Sequence, residues 1–438
     1  MRSLLFIVFS SVVLCSCRCS CVNPIGESVC GLAYMTDQEL LTKVQESTFR
    51  YFWDYAHPVS GLARERTGSG DVVTSGGSGF GVMTFPVAVE RGFVTREEAA
   101  ARLLKIVTFL NDRVRKFHGA FPHWINGATG QAIAFSPKDN GGDIVETALL
   151  LQGLLTVREY FDGSDPTETA IRDIIDSIWF EVEWDWYTKG DNVLYWHWSP
   201  DYGWEMNLPV TGWNEALIAY VLAAASPSHS ISRAVYDEGW ARDGAFSNGE
   251  KYFGITLQLG PPYGGPLFFA QYSFLGLNPH GLSDKYADYW EQNQAQARIN
   301  YKYCVENPKG WAGYGRNVWG LTASDIPGGY AASSPTEDNG TIAPTGALSS
   351  FPYTPYESME ALHYYYYILG EKMFGEYGFY DAFNLQEGWF SSSCLAIDQG
   401  PIVIMIENYR TGLLWDLFMK NDDVQTGLRR LGFKFREP

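Results

Sequence analysis

Residues 136–155 read SPKDNGGDIVETALLLQGLL. Asp139, Asp143 and Glu146 are spaced four and three apart, and they run directly into an apolar segment ending at Leu155. Asp143 followed three residues later by Glu146 is an Asp-x-x-Glu capping box, and the preceding Gly141-Gly142 lets the chain turn into the helix. Capping accounts for those two acids. Asp139 lies before the helix and no cap requires it, so a loop delivers three carboxylates to one helix end.

The same alternation of loop and helix runs along the chain. Period-3.6 apolar patterns predict helices over 37–56, from Thr95 through TREEAAARLLKIVTFLNDRV, and over 143–161, 166–179, 213–225, 232–242, 283–303, 355–370 and 409–418. Shorter apolar segments near 84–90 and 266–275 extend the set to about ten to twelve helices. The clearest strand signal is a hairpin around WYTKGDNVLYWHWSP, with Gly190-Asp191-Asn192 as its turn. Long Gly/Pro/aromatic loops such as GSGDVVTSGGSGFG and NVWGLTASDIPGGYAASSPTEDNGTIAPTG separate alternate helices, and loops of this length in a compact domain usually carry function. Helix, short turn, helix, long loop, repeated about six times, predicts an all-α (α/α)6 toroid or barrel. Its long loops and a small β-hairpin gather at one mouth. No linker or low-complexity tract interrupts 37–438, which reads as one domain.

Composition narrows the partners. Of 438 residues, 16% are aromatic, including 15 Trp, and the formal net charge is −18. That charge repels phosphate backbones and excludes nucleic acid as a partner. The surplus of rings suits stacking on the flat C–H faces of sugars. The N-terminus, MRSLLFIVFSSVVLCSC, has an early Arg2, an apolar core and then small residues, the pattern of a secretory signal. Leu14-Cys15-Ser16-Cys17 resembles a bacterial lipoprotein processing box, so 1–17 is expected to be a signal, Cys17 the lipidated residue and 18–36 a tether. The expected location is the periplasm or outer membrane of a Gram-negative bacterium, with Cys17 the only membrane contact. Five cysteines follow Cys17 without a CxxC pair, which excludes a disulfide framework or zinc ribbon. Cys304 and Cys394 read as core.

Two further acids stand out. Glu215, in GWEMNLPVTGWNEALIAYVLA, is expected in the first turn of a helix amid Trp184, Trp186, Trp196, Trp198, Trp204 and Trp213. Enclosure by rings disfavours the charged carboxylate and raises its pKa, the condition a general acid needs. Asp398 precedes Gly400-Pro401 and reads as a turn residue. GGSGFG lacks the Lys and the spacing of a phosphate loop, and no GxSxG elbow or HExxH is present. No metal or cofactor is expected. His123, within FPHWIN, is a candidate lining residue.

GGSGFGVMTFPVAVERGFVTREEAAARL, DNGGDIVETALLLQGLL, GWNEALIAYVLAAASP, DNGTIAPTGALSSFPYTP and ENYRTGLLW, in that order, together resemble the bacterial glucoamylase-like domain family. The characterised members of that family, in glycoside hydrolase family 144, act on β-1,2-glucan. The resemblance spans essentially the whole mature chain. It implies an (α/α)6 toroid and inverting hydrolysis of β-1,2-linked glucose polymers or oligosaccharides. Carried across, the family's acidic positions fall on Asp139, Asp143, Glu146 and Glu215, with Asp398 the match nearest the C-terminus.

Inversion needs an acid and a base roughly 6.5–9.5 Å apart, with a water between base and sugar. Glu215 is the expected acid; the base is Asp139, Asp143 or Asp398. Glu146 is expected to bind or orient substrate. Trp196, Trp198, Trp204 and Trp311 are candidate stacking platforms, and Arg64 and Arg66 candidate hydroxyl donors. A monomer is expected. The alternatives are an α-glucan hydrolase, a non-catalytic glycan-binding lipoprotein, and a polysaccharide lyase, whose uronate substrate an acidic site would repel.

Overall fold

The computed structural model describes residues 34–436; Cys17 and the expected signal lie outside them, as does most of the expected tether. Twelve α-helices are present among the described residues: α1 Asp37–Trp53, α2 Ser75–Glu90, α3 Arg96–Asp112, α4 Ile144–Tyr160, α5 Pro166–Glu181, α6 Leu217–Ala225, α7 Tyr289–Glu306, α8 Pro344–Leu348, α9 Pro355–His363, α10 Ala396–Arg410, α11 Leu413–Met419 and α12 Asp422–Leu431. Short π-helical and 3₁₀ segments add to these, among them a π-helical turn at Val235–Trp240 and 3₁₀ turns at Leu267–Ala270 and Tyr272–Leu275.

The helices sort into two kinds. In α1, α3 and α5 one stripe is buried and the rest polar, whereas α4 and α6 are buried nearly all round. A stripe faces one neighbour; a helix apolar on every side must sit inside. Outer and inner helices alternate along the chain: α1/α2, α3/α4, α5/α6, Val235–Trp240 with the 267–275 turns, α7/α8 and α9/α10. The inner members form a ring. α2 packs on α4, α4 on α6, α6 on 272–275, α8 on α10, and α10 returns to α2. Gln271 joins 267–275 to α8 through a 3.0 Å hydrogen bond to the Gly346 carbonyl. This is the α/α toroid, and α11 and α12 lie against α4 and α6.

Close approach explains why the inner ring uses glycine. A Cβ on Gly79 would stand 2.4 Å from the Leu149 carbonyl oxygen, and one on Gly153 would stand 2.1 Å from that of Gly79. GGSGFG, expected in a loop, is therefore the first two turns of α2. The helix near 84–90 starts nine residues earlier than its apolar pattern shows.

Other expectations shift as well. Strand His197–Trp198 pairs with Gly142–Asp143, not with the residues before Gly190, because Lys189 takes a left-handed cap and closes a 3₁₀ turn there. Residues 409–418 contain the break between α10 and α11 at a left-handed Gly412. The C-terminal α12 carries a strong amphipathic pattern that the sequence reading passed over. Cys304 and Cys394 are buried free thiols. Among the described residues no helix is long and apolar enough to cross a membrane.

Candidate active site

The first turns of the inner helices converge on the candidate acids. Asp143 is the N-cap of α4: its Oδ1 accepts from the N–H groups of Val145 and Glu146, at 3.0 and 2.9 Å. Its Oδ2 lies 3.1 Å from His123 Nδ1 and 3.5 Å from His197 Nε2. His197 Nε2 also stands 3.2 Å from Asp139 Oδ2. Burial alone would raise the Asp143 pKa; hydrogen bonds from His123 and His197 outweigh it and hold the carboxylate ionised, below its ordinary range. Burial opposes both imidazolium ions too. The charge of Glu146 and the contact with Asp143 nevertheless bring His123 up to about 9, and contacts with Asp139 and Asp143 bring His197 to about 10.

Glu146 lies in the first turn of α4. Its Oε2 accepts from Gly76 N–H at 2.7 Å and Thr74 Oγ1 at 3.2 Å, while Oε1 lies 3.9 Å from His123 Nε2. Burial raises its pKa, His123 opposes that, and the negative Asp143 adds to it. Capping and site chemistry are thus not rivals in this motif. One oxygen of Asp143 caps while the other belongs to the cluster.

Glu215 is not in a helical turn: α6 begins at Leu217, after Asn214 Oδ1 takes the Ala216 N–H at 2.9 Å. Ser273 pins the segment, donating to the Glu215 carbonyl and accepting from Ile218 N–H. Burial pushes the Glu215 carboxyl up to about 7, and the charges of Glu146 and Asp143 push the same way. Trp213 is buried beside it in the chain. Trp186, Trp198 and Trp204 instead pack on one another and on His118, and Trp184 on Trp179. The raised pKa rests on burial and acidic neighbours.

Asp398, expected on a turn, lies in the first turn of α10 and is 3% exposed. It forms a carboxyl pair with Asp381. Burial raises both: Asp398 well above its ordinary value, with the charge of Asp381 adding to it, and Asp381 to about 7. Two carboxyls this close hold one proton between them. Tyr272 hydrogen-bonds Asp398 and also feels the charge of Glu215, so it stands within reach of both acids.

The remaining candidates divide. The carbonyl of Trp196 takes the Ile144 N–H at 3.0 Å, at the start of α4. Trp311 Nε1 donates to Asp338 at 2.9 Å, which also binds Tyr303 and Tyr314. The Arg64 guanidinium is spent on the Tyr55 and Gly70 carbonyls. Arg66 binds Glu65 and Asp325. His197, Asp381, Asp325 and Tyr272 escaped the sequence reading. His197 sits alone among tryptophans and Asp381 in GFYDAFN, and neither stretch has a spacing that marks chemistry. His123, Asp139 and Asp143 each offer one ligand atom within 4.8 Å of the others, but the His197 imidazolium already supplies positive charge between the two aspartates.

A double ring of helices whose inner first turns hold ionised and proton-bearing carboxyls side by side defines an α/α-toroid built for acid–base chemistry. Residues 207–422 match the family model described as "Putative glucoamylase". A solved structure from Bacteroides uniformis, also described as a "putative glucoamylase", is 56% identical with a TM-score of 0.91, covering 92% of this chain and 99% of that one. The endo-β-1,2-glucanase of Chitinophaga pinensis, solved with sophorotriose and glucose, is 53% identical with a TM-score of 0.90, over 92% and 99% of the two chains. The exo β-1,2-glucooligosaccharide sophorohydrolase of Parabacteroides distasonis is 51% identical over 420 residues, 91% of this chain. The chain spans 58% of that relative's length. The chain belongs to the glucoamylase-like family, glycoside hydrolase family 144.

Proposed function

We propose that the protein hydrolyses β-1,2-glucan or β-1,2-glucooligosaccharides with inversion at the anomeric carbon. Glu215 is the general acid. The observation that carries this role is its carboxyl, pushed up to about 7 beside an ionised Asp143, so it holds a proton for the leaving oxygen near neutrality. The base is the Asp381–Asp398 pair, which loses its protons as a unit and whose raised affinity for the second suits proton abstraction from water. Asp143 is a poor base: its oxygens are spent on the helix cap and two histidines. Asp139, Glu146 and His123 fit sugar hydroxyls as acceptors and donors. Similarity to the β-1,2-glucanase and the sophorohydrolase supports the linkage.

The N-terminal sequence supports export and lipidation at Cys17, which would hold the catalytic unit at the cell envelope. Labelled palmitate incorporated by the wild type and absent from Cys17→Ala is the expected result; equal labelling overturns it.

A digest of linear β-1,2-glucan with starch alongside tests the reaction. Short β-1,2-linked products are expected, their sizes separating endo cleavage from sophorose release, with loss of at least about 100-fold in kcat for Glu215→Gln. Cleavage of starch alone overturns the linkage. Neither polymer cleaved, with binding retained, leaves a glycan-binding protein.

A further inference from the structure

The carboxyl pair is held from outside by a chain of contacts. Asp381 Oδ2 accepts from the backbone N–H of Asp325 at 2.6 Å. Asp325 sits in the hairpin formed by Ala323–Ile326 and Gly329–Ala332, directly across from Tyr330. Its side chain is fully occupied: Oδ1 takes Arg66 at 2.9 Å, and Oδ2 takes Ser393 at 2.6 Å and Ser391 at 3.1 Å. Arg66 in turn belongs to a segment bound to the start of α10, where Thr67 N–H meets the Cys394 carbonyl and Ala396 N–H meets that of Glu65. One ion pair therefore ties the hairpin carrying the Asp381 donor to the helix carrying Asp398. Asp381 Oδ1 and Asp398 Oδ2 are buried and find no hydrogen-bond partner among the described residues.

We propose that Arg66 and Asp325 are positioning residues that set the charge of the Asp381–Asp398 pair, through the hairpin contact on one side and opposed fixed charges on the other; this rests on the pair acting as base. The groups facing the pair are few. Tyr272 comes from the 3₁₀ turn, Tyr330 and Asp325 from the hairpin, Cys394 from the irregular segment before α10, and Arg66 from the 64–74 segment with its own partner Glu65. Asp325 is the nearby acid that favours protonation, and Arg66 is the cation that opposes it among the described residues. Their effects on the pair must therefore have opposite signs. A purely structural role gives no such opposition, since losing either partner breaks the same 2.9 Å contact.

The test uses Asp325→Asn and Arg66→Gln in the full chain, with thermal melts to establish folding. The infrared band of a protonated buried carboxyl, assigned by its loss in Asp398→Asn, reads the pair in the free protein. The acid limb of kcat/KM on β-1,2-glucan reads it in turnover. The titration midpoint is expected to fall by about one pH unit in Asp325→Asn and to rise by about one in Arg66→Gln. Shifts of the same sign, no shift in either folded variant, or no protonated band in the wild type would overturn the proposal. If the band shifts and the kinetic limb does not, the positioning role stands and the assignment of the base falls. A variant that fails to fold is replaced by Arg66→Lys, which keeps the charge and must restore the wild-type midpoint.

Discussion

The Glu146 carboxylate, in the first turn of α4, accepts a 2.7 Å hydrogen bond from the backbone N–H of Gly76 in the first turn of α2. Two inner helices are thus joined, start to start, through a site residue. A Cβ at position 76 would stand 2.8 Å from Glu146 Oε2. Gly76→Ala is expected to turn the carboxylate away from its donors and to raise KM for β-1,2-glucooligosaccharides at least several-fold, with a smaller change in kcat. Steady-state kinetics checks the split; unchanged KM would remove Glu146 from substrate binding.

Deeper in the same contact, Gly79 leaves no room at all. An added methyl meets the Leu149 carbonyl oxygen at 2.4 Å and Leu150 Cα at 2.5 Å, both backbone. Gly79→Ala should destabilise by about 1–3 kcal/mol or more, the usual cost of overpacking. The denaturation midpoint in urea measures it.

Stability should depend on pH in a way the histidine–aspartate cluster dictates. His123 and His197 are raised from 6.5 to about 9 and 10. Their contribution is complete below about 6.5 and is lost as pH rises through 9 to 10. Asp143 is lowered from 3.8, so its contribution is complete above that value and is lost as pH falls below it. The raised carboxyls Glu215, Asp381 and Asp398 lose stability as pH rises toward and past about 7, so the cluster is read as a difference between proteins. The gap in melting temperature between wild type and His197→Asn should be largest near pH 6 and shrink as pH rises through about 10.

The alkaline limb of kcat/KM is assigned to Glu215. Its proton is lost as pH rises through about 7, so activity should fall across that range. Replacing neighbouring Glu146 by Gln removes a negative charge that favours protonation and should move the limb to lower pH. A limb that stays in place would separate Glu146 from Glu215.

The sequence carried the outer helices well. Thr95 caps α3 with a full capping box to Glu98, and the acidic stretch before α4 announced itself by spacing. The inner ring was harder to read because it contradicts local propensity. Gly76, Gly77 and Gly79 look like loop residues until helix-to-helix approach is known, and Gly400-Pro401 looks like a stop although a Cβ at position 400 would lie 2.5 Å from Phe80 Cβ. Packing overrides propensity there. Asp381 and His197 were invisible for a different reason. Each joins its partners across long sequence separations, so no local pattern precedes them.

The configuration of the freshly released sugar tests the mechanism most directly. NMR of the reducing-end anomeric proton during the first minutes of β-1,2-glucan cleavage should show the α anomer appearing first and then mutarotating. A β anomer appearing first would mean retention, and would contradict the assignment of Glu215 as acid with the Asp381–Asp398 pair as base to water.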